Sequence, residues 1–287
     1  MSEPETAGAI IQVRDLWFRY ADQPPVLRGI HLDIAPGEWL AILGCNGSGK
    51  TTLVKHFNGL LRPWRGQVLV AGQDTAGHPI GELAQIVGYL PQHPDRLLFA
   101  PTVREEIAFG LRQRGLEGPA LQARIDASLQ LLDLRHIADM PPAVLGYGLR
   151  RKVSLAAILA SRPRVLALDE PTIGLDAGSA RAFFDCVREF HRAGATVIMI
   201  THELELAARY AEHVILLREG EIIARGETRE VLSDADQLKR AGLMPLPISQ
   251  LYALWVNQTG ENWASRPLTP EEFAAAWLAS SARGGVP

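Results

Sequence analysis

Two cysteines, Cys45 and Cys186, are too few for a disulfide scaffold in 287 residues and fit a reducing compartment. No uninterrupted apolar run approaches the roughly 18 residues that span a bilayer, so any membrane role has to pass through a partner. The opening stretch "MSEPETAGAI" carries acidic residues and no apolar h-region, which argues against a signal peptide. Basic excess is also missing. Lys+Arg number 29 against 32 Asp+Glu, a formal charge of −3, so nothing in the balance points to nucleic acid. Internal repeats and low-complexity tracts are not found. What is there is an ordinary globular composition, 47% hydrophobic and 21% charged. The length is enough to bury a full core as one large domain or two smaller ones.

Hydrophobic patterning divides the chain. "IIQVRDLWFRY" and "VLRGIHLDI" alternate as strands around an "ADQPP" turn, and "GEWLAILG" is a short apolar strand running into glycine. Residues 50–61 read as helix, 65–90 as strands around "AGQD", and 102–160 as helices. "RVLALDE" and "ATVIMIT" are buried strands flanking a helix over 177–192. "ELELAARYAEH" is a helix, and "VILLREGEIIARG" a hairpin turning at Glu219-Gly220. Strands alternating with helices predict an α/β fold with a mostly parallel sheet covered on both faces. Past about residue 233 the strand pattern stops, which suggests an appended helical piece.

The chemistry concentrates at three strand ends. "GCNGSGKTT" (44–52) follows an apolar strand and opens a helix, matching G-x-x-x-x-G-K-[ST] through Gly44, Gly49, Lys50 and Thr51. Glycines let backbone N–H groups point at a phosphate chain, and the helix N-terminus adds favourable partial charge. Lys50 would reach the β- and γ-phosphates and Thr51 would bind Mg²⁺. Asn46, Gly47, Ser48 and Thr52 complete the candidate nucleotide cradle. "RVLALDEPTIGLD" ends a buried strand in two carboxylates at the edge where open α/β sheets bind ligands. Asp169 there would sit near the metal, and Glu170 would face the γ-phosphate and a water as general base. His202, in "ITHE", ends the next apolar strand and is a candidate γ-phosphate contact.

The phosphate loop, "LDEPTIGLD" and "ITHE" at these spacings resemble the ATP-binding-cassette (ABC) ATPases over roughly 10–230. The resemblance implies a P-loop NTPase core, a mostly parallel sheet plus an antiparallel β part. It also implies an inserted helical subdomain near 93–160 within a domain 1–232, then a small C-terminal helical extension, 233–287. ATP and Mg²⁺ are the implied cofactors. By position, Tyr20 matches the aromatic that stacks on adenine, although a half-buried strand tyrosine is the alternative. Gln92, in "GYLPQHP", matches the glutamine that touches Mg²⁺ and relays nucleotide state to a membrane subunit. Asp176 matches an aspartate facing the other ATPase across a dimer, and His202 the switch histidine. "KHFNGLLRPWRGQVLVAG" (55–72), "QHPDRLLFAPTVREEIAFG" (92–110) and the tail resemble the ATPase subunits of energy-coupling factor (ECF) transporters, which import vitamins and transition-metal ions. In the tail, "TPEEF" reads as a helix start. Thr269 is at N-cap, Pro270 at N1 and Glu272 at N3 of a capping box, with Phe273 and Trp277 on one face. That helix packs either on its own domain or on the partner ATPase's tail.

One motif departs. ABC proteins carry L-S-G-G-Q ahead of the aspartate that Asp169 matches, and that position falls without a gap on Leu145-Gly146-Tyr147-Gly148-Leu149. Gly146 and Gly148 are the candidate nucleotide contacts there. The family's signature serine donates to the γ-phosphate held by the opposite subunit, a bond to a charged group worth about 1.5–3 kcal/mol. Gly146 lacks the donor, and Tyr147 puts a side chain where close backbone approach is expected. Because ABC chains meet head to tail, the expectation is a heterodimer with an ATPase of intact signature. A membrane transport subunit is expected to dock near Gln92 and Phe99, with a separate membrane protein binding substrate, all at the cytoplasmic face. A soluble non-transport ABC ATPase and a weakly hydrolysing regulatory subunit are the alternatives.

Overall fold

The computed structural model describes residues 8–281. The first seven and last six positions of the domain bounds read above lie outside the described residues. Two sheets and a helical layer are assembled from β1 (Ile11–Phe18), β2 (Leu27–Ile34), β3 (Trp39–Leu43), α1 (Lys50–Phe57), β4 (Arg65–Val70), β5 (Gln73–Asp74), α2 (Ile80–Leu83) and β6 (Val87–Leu90). A helical run follows: α3 (Val103–Gln113), α4 (Gly118–Leu131) and α5 (Tyr147–Ala160). The chain then alternates through β7 (Val165–Asp169), α6 (Ala177–Arg192), β8 (Thr196–Thr201), α7 (Leu204–Tyr210), β9 (His213–Arg218) and β10 (Glu221–Glu227). It ends in α8 (Thr228–Ser233), α9 (Ala235–Arg240), α10 (Pro247–Thr259) and α11 (Pro270–Ser281).

The larger sheet has the order β10-β9-β3-β8-β7-β6. Its five strands from β9 to β6 are parallel, and β10 joins antiparallel through the hairpin at Glu219-Gly220. The smaller sheet, β2-β1-β4-β5, is antiparallel. β3, β7 and β8 are buried at every position, which is why they read as continuous apolar runs rather than alternating ones. Alternate residues of β3 feed two cores. Leu40 and Ile42 face α1 and the antiparallel sheet, while Trp39, Ala41 and Leu43 face the helices on the other side.

Two helices stop earlier than their apolar pattern suggests. α1 ends at Phe57 because Asn58 takes over, accepting from the Leu60 N–H, and Gly59 turns the chain at φ 74°. α7 ends at Tyr210 because His213 already belongs to β9. Position 232/233 lies inside α8, and Leu238, Ala241, Leu243, Leu246 and Leu268 continue the same core cluster as the sheet. The extension up to Leu246, together with Leu268, is therefore packed into the core, whereas α10 buries only Tyr252 and α11 no residue. At the start of α11, Thr269 caps as read, accepting from the Glu272 N–H at 3.2 Å. The Glu272 carboxylate accepts instead from the Leu268 N–H at 2.8 Å and pairs with Arg229 of α8. Trp263 packs edge-on to Phe273 at 5.0 Å, and Arg209 pairs with Glu271, so the helix start is docked on its own chain. Trp277 and Leu278 remain exposed.

Candidate functional site

Register brings the strand ends together. Leu43 pairs with Thr201, and Asp169 with Ile200, so the segments after β3, β8 and β7 leave the sheet at one edge. The loop after β3 curls tightly. Gly44 leaves no room for a side chain, since a Cβ there would stand 2.2 Å from the Leu217 carbonyl oxygen and 2.7 Å from Ser48 Oγ. Gly49 precedes α1 at φ 106°, a backbone state that L-residues rarely adopt. The N-cap residue Gly49 supplies no side-chain cap, so the first N–H groups of α1 have no acceptor from it.

Lys50 is buried and folds back over the loop, donating from Nζ to the carbonyls of Gly44 at 2.8 Å and Cys45 at 3.0 Å. Burial pulls its ammonium below the usual lysine range, opposed by the charges of Glu170, Cys45 and Asp169. Thr51 Oγ1 donates to Asp169 Oδ2 at 2.8 Å. Tyr89, at the end of β6, donates to the same oxygen at 3.0 Å. Burial and the Asp169 charge push the Tyr89 phenol well above its usual range, so it stays protonated as a donor.

Glu170 is buried, with His202 Nδ1 3.0 Å from Oε1 and Thr201 Oγ1 3.4 Å from Oε2. Its backbone is left-handed, at φ 47°. Asp176 caps α6, accepting from the Ser179 N–H and hydroxyl at 2.8 Å each. These bonds hold its carboxyl below the usual aspartate range. Tyr20 lies just beyond β1, its ring edge-on to Phe18 and its hydroxyl 3.2 Å from Thr52 Oγ1. Asn46 and Gly47 are exposed on the loop. With His202, Asn46 borders a cavity of about 480 Å³ that Gly242 and Met244–Pro245 of the extension also line.

Gln92 is exposed, and its carbonyl accepts from the Tyr147 hydroxyl at 3.4 Å. Gly146 is the N-cap of α5 and Gly148 lies in its first turn, so Leu145–Leu149 does open a helix. The sequence did not reveal Tyr89, or Arg151 at 0% exposure. Their contacts join segments that only the strand pairing brings near each other. The one usable signal was Tyr89's place at the end of the strand leading to Gln92.

The donor set fits a nucleotide with a divalent cation. Asp169 Oδ1 and Ser48 Oγ are buried with no hydrogen-bond partner among the described residues. A carboxylate beside a threonine hydroxyl is an oxygen pair of the kind Mg²⁺ takes.

The family model described as ABC transporter matches residues 27–173. A putative ABC transporter ATP-binding protein of Caldanaerobacter subterraneus is 41% identical over 87% of this chain, and the chain spans only 44% of that longer protein. The energy-coupling factor transporter ATP-binding protein EcfA of Methanocaldococcus jannaschii is 38% identical over 82% of this chain and 85% of its own. Among solved structures, cbiO1 of Clostridium perfringens, described as part of the ABC transporter complex cbiONQ, superimposes with a TM-score of 0.73 at 32% identity. It covers 86% of this chain and 99% of its own. The chain belongs to the ABC transporter ATP-binding family. Within that family its sequence is of the energy-coupling factor transporter ATP-binding type. No helix among the described residues is long and apolar enough to cross a membrane.

Proposed function

We propose that this chain binds ATP with Mg²⁺ and hydrolyses it to drive an importer of a vitamin or a transition-metal ion from the cytoplasmic face of the membrane. The observation that carries the reading is the convergence of Lys50, the Thr51–Asp169 pair and the Glu170–His202 pair on one sheet edge. Thr51 and Asp169 would hold the cation, which when bound supplies positive charge against the phosphate oxygens. Lys50 and the N–H groups of the loop and α1 would bind the phosphates, with Tyr20 beside the base. Glu170 would accept a proton from, or orient, the attacking water. His202 fixes the Glu170 carboxylate and would contact the γ-phosphate. Burial of Lys50, Asp169 and Glu170 strengthens the interactions that those three groups make.

Phe99 and Phe109 are exposed and meet edge-on at 4.8 Å, and Leu97, also exposed, lies between Gln92 and Phe99 in the sequence. This supports docking of a membrane subunit's helix there. A second ABC ATPase with an intact signature is the proposed dimer partner, because Gly146 has no side-chain donor for the partner's nucleotide. Glu170→Gln is the direct test. In the assembled complex it should keep ATP binding and lower turnover by about 10²–10⁴-fold, the usual contribution of a general base. Turnover within about twofold of wild type would remove Glu170 from that role.

A further inference from the structure

We infer that Arg151 is a positioning residue for Glu170, and that Tyr147 completes its cradle. The inference rests on the reading of Glu170 as the carboxylate that handles water. Arg151 lies one turn after Tyr147 on α5 and is fully buried. Its Nη2 donates to the Glu170 carbonyl at 2.7 Å. Its Nη1 donates to the Ile173 carbonyl at 2.8 Å and contacts the Tyr147 hydroxyl at 3.2 Å. Both carbonyls belong to the turn that follows β7, where the sheet no longer supplies regular partners.

That turn carries strain at the residue that matters. Glu170 is held at φ 47°, which a glutamate keeps only when its surroundings enforce it. Its N–H is fixed by the Ile200 carbonyl of β8 at 2.9 Å, and its C=O is fixed by Arg151. The peptide units on either side of Cα are thus pinned, and the carboxylate direction follows from them. Burying a guanidinium is a costly way to fill space, and its return is a rigid fork that satisfies several acceptors at once.

Tyr147 adds a second brace. Its ring lies over Gly174, where a Cβ would stand 2.5 and 2.7 Å from ring carbons, so this ring and this glycine fit as a pair. Its hydroxyl reaches the Gln92 carbonyl at 3.4 Å. The residue that displaces a signature glycine therefore links the Gln92 segment, α5 and the Glu170 turn within one chain.

Arg151→Met keeps the apolar stem and removes every donor. In the assembled complex it should lower kcat by about tenfold or more, since a misplacement near 1 Å costs on the order of a hundredfold. Nucleotide affinity, read by a fluorescent ATP analogue, should stay near wild type, while the thermal midpoint falls because two carbonyls lose their donor. Arg151→Lys, which returns a donor, should recover part of kcat. In a Glu170→Gln background, Arg151→Met should cause no further loss, as expected of residues acting as one unit. A wild-type kcat for Arg151→Met beside an inactive Glu170→Gln overturns the positioning role alone. Wild-type kcat in both overturns the reading of Glu170 as well. A joint fall of affinity, kcat and thermal midpoint makes Arg151 mere scaffold and also overturns the inference. Should the methionine variant not fold, Arg151→Lys decides: lower kcat at unchanged affinity supports the role, and unchanged kcat overturns it.

Discussion

His56 is a buried histidine in the last turn of α1, one face of its ring edge-on to Phe18 and its Nδ1 2.8 Å from the Thr52 carbonyl. Burial pushes its pKa from 6.5 down to about 4. The folded protein therefore keeps it neutral where the unfolded chain protonates it, and stability falls with acid. The penalty is absent above pH 6.5, grows as pH drops, and is complete below about pH 4. Its full size is about 3 kcal/mol, from the linkage between pKa shift and free energy. Urea midpoints measured between neutral pH and the acid limit should show this slope in the wild type. In His56→Leu the slope should flatten, whatever the variant's stability at neutral pH. An unchanged slope would show that His56 is not the group responsible.

At the scale of elements, the loop before α3 shows how a surface is presented. The N–H groups of Phe99 and Ala100 both donate to Oε2 of Glu106, a buried carboxylate in α3, at 2.9 and 2.8 Å. The loop is thus held from beneath while Phe99 stands 66% exposed. Aromatic anchors of this kind commonly contribute 2 kcal/mol or more to an interface, so Phe99→Asp should weaken co-purification with the membrane subunit by about tenfold or more. ATP affinity should be unchanged, because the nucleotide set lies on other elements. Undiminished co-purification would move the docking surface elsewhere. The elements themselves were legible because buried parallel strands are continuous apolar runs, and because Gly44, Gly49, Asp169, Glu170 and His202 sit where those runs stop. The sheet order was not legible, nor was the Tyr89–Asp169 bond or the Arg151 fork. Each joins residues whose proximity is set by pairing, which local pattern does not encode. Glu272 makes the same point. The spacing announced a capping box, but Arg229 and the Leu268 N–H took its carboxylate.

For the whole molecule, the weakened signature predicts unequal sites in the proposed heterodimer. One site would combine this chain's Lys50, Asp169 and Glu170 with an intact partner signature. The other would rely on Leu145–Leu149 of this chain. Glu170→Gln here should nearly abolish turnover, and the matching substitution in the partner should matter much less. Equal effects from both substitutions would refute unequal sites, as would full turnover by this chain alone as an ATP-dependent homodimer. The order of the parallel sheet also has a consequence in time. β3, which launches the phosphate loop, pairs with β8 and β9, both formed from residues more than 150 positions later. Closing such long loops comes late and slowly, because their entropy is lost before the contacts form. During synthesis Lys50 leaves the ribosome well ahead of Asp169 and His202, so the cradle has a floor before it has walls. A nascent chain stopped before β8 holds the whole phosphate-loop motif and none of the strand pairing that brings Leu43 beside Thr201. On the proposed nucleotide-binding reading, binding would therefore report completion of the fold, and ATP would stabilise chains that have finished it over those that have not.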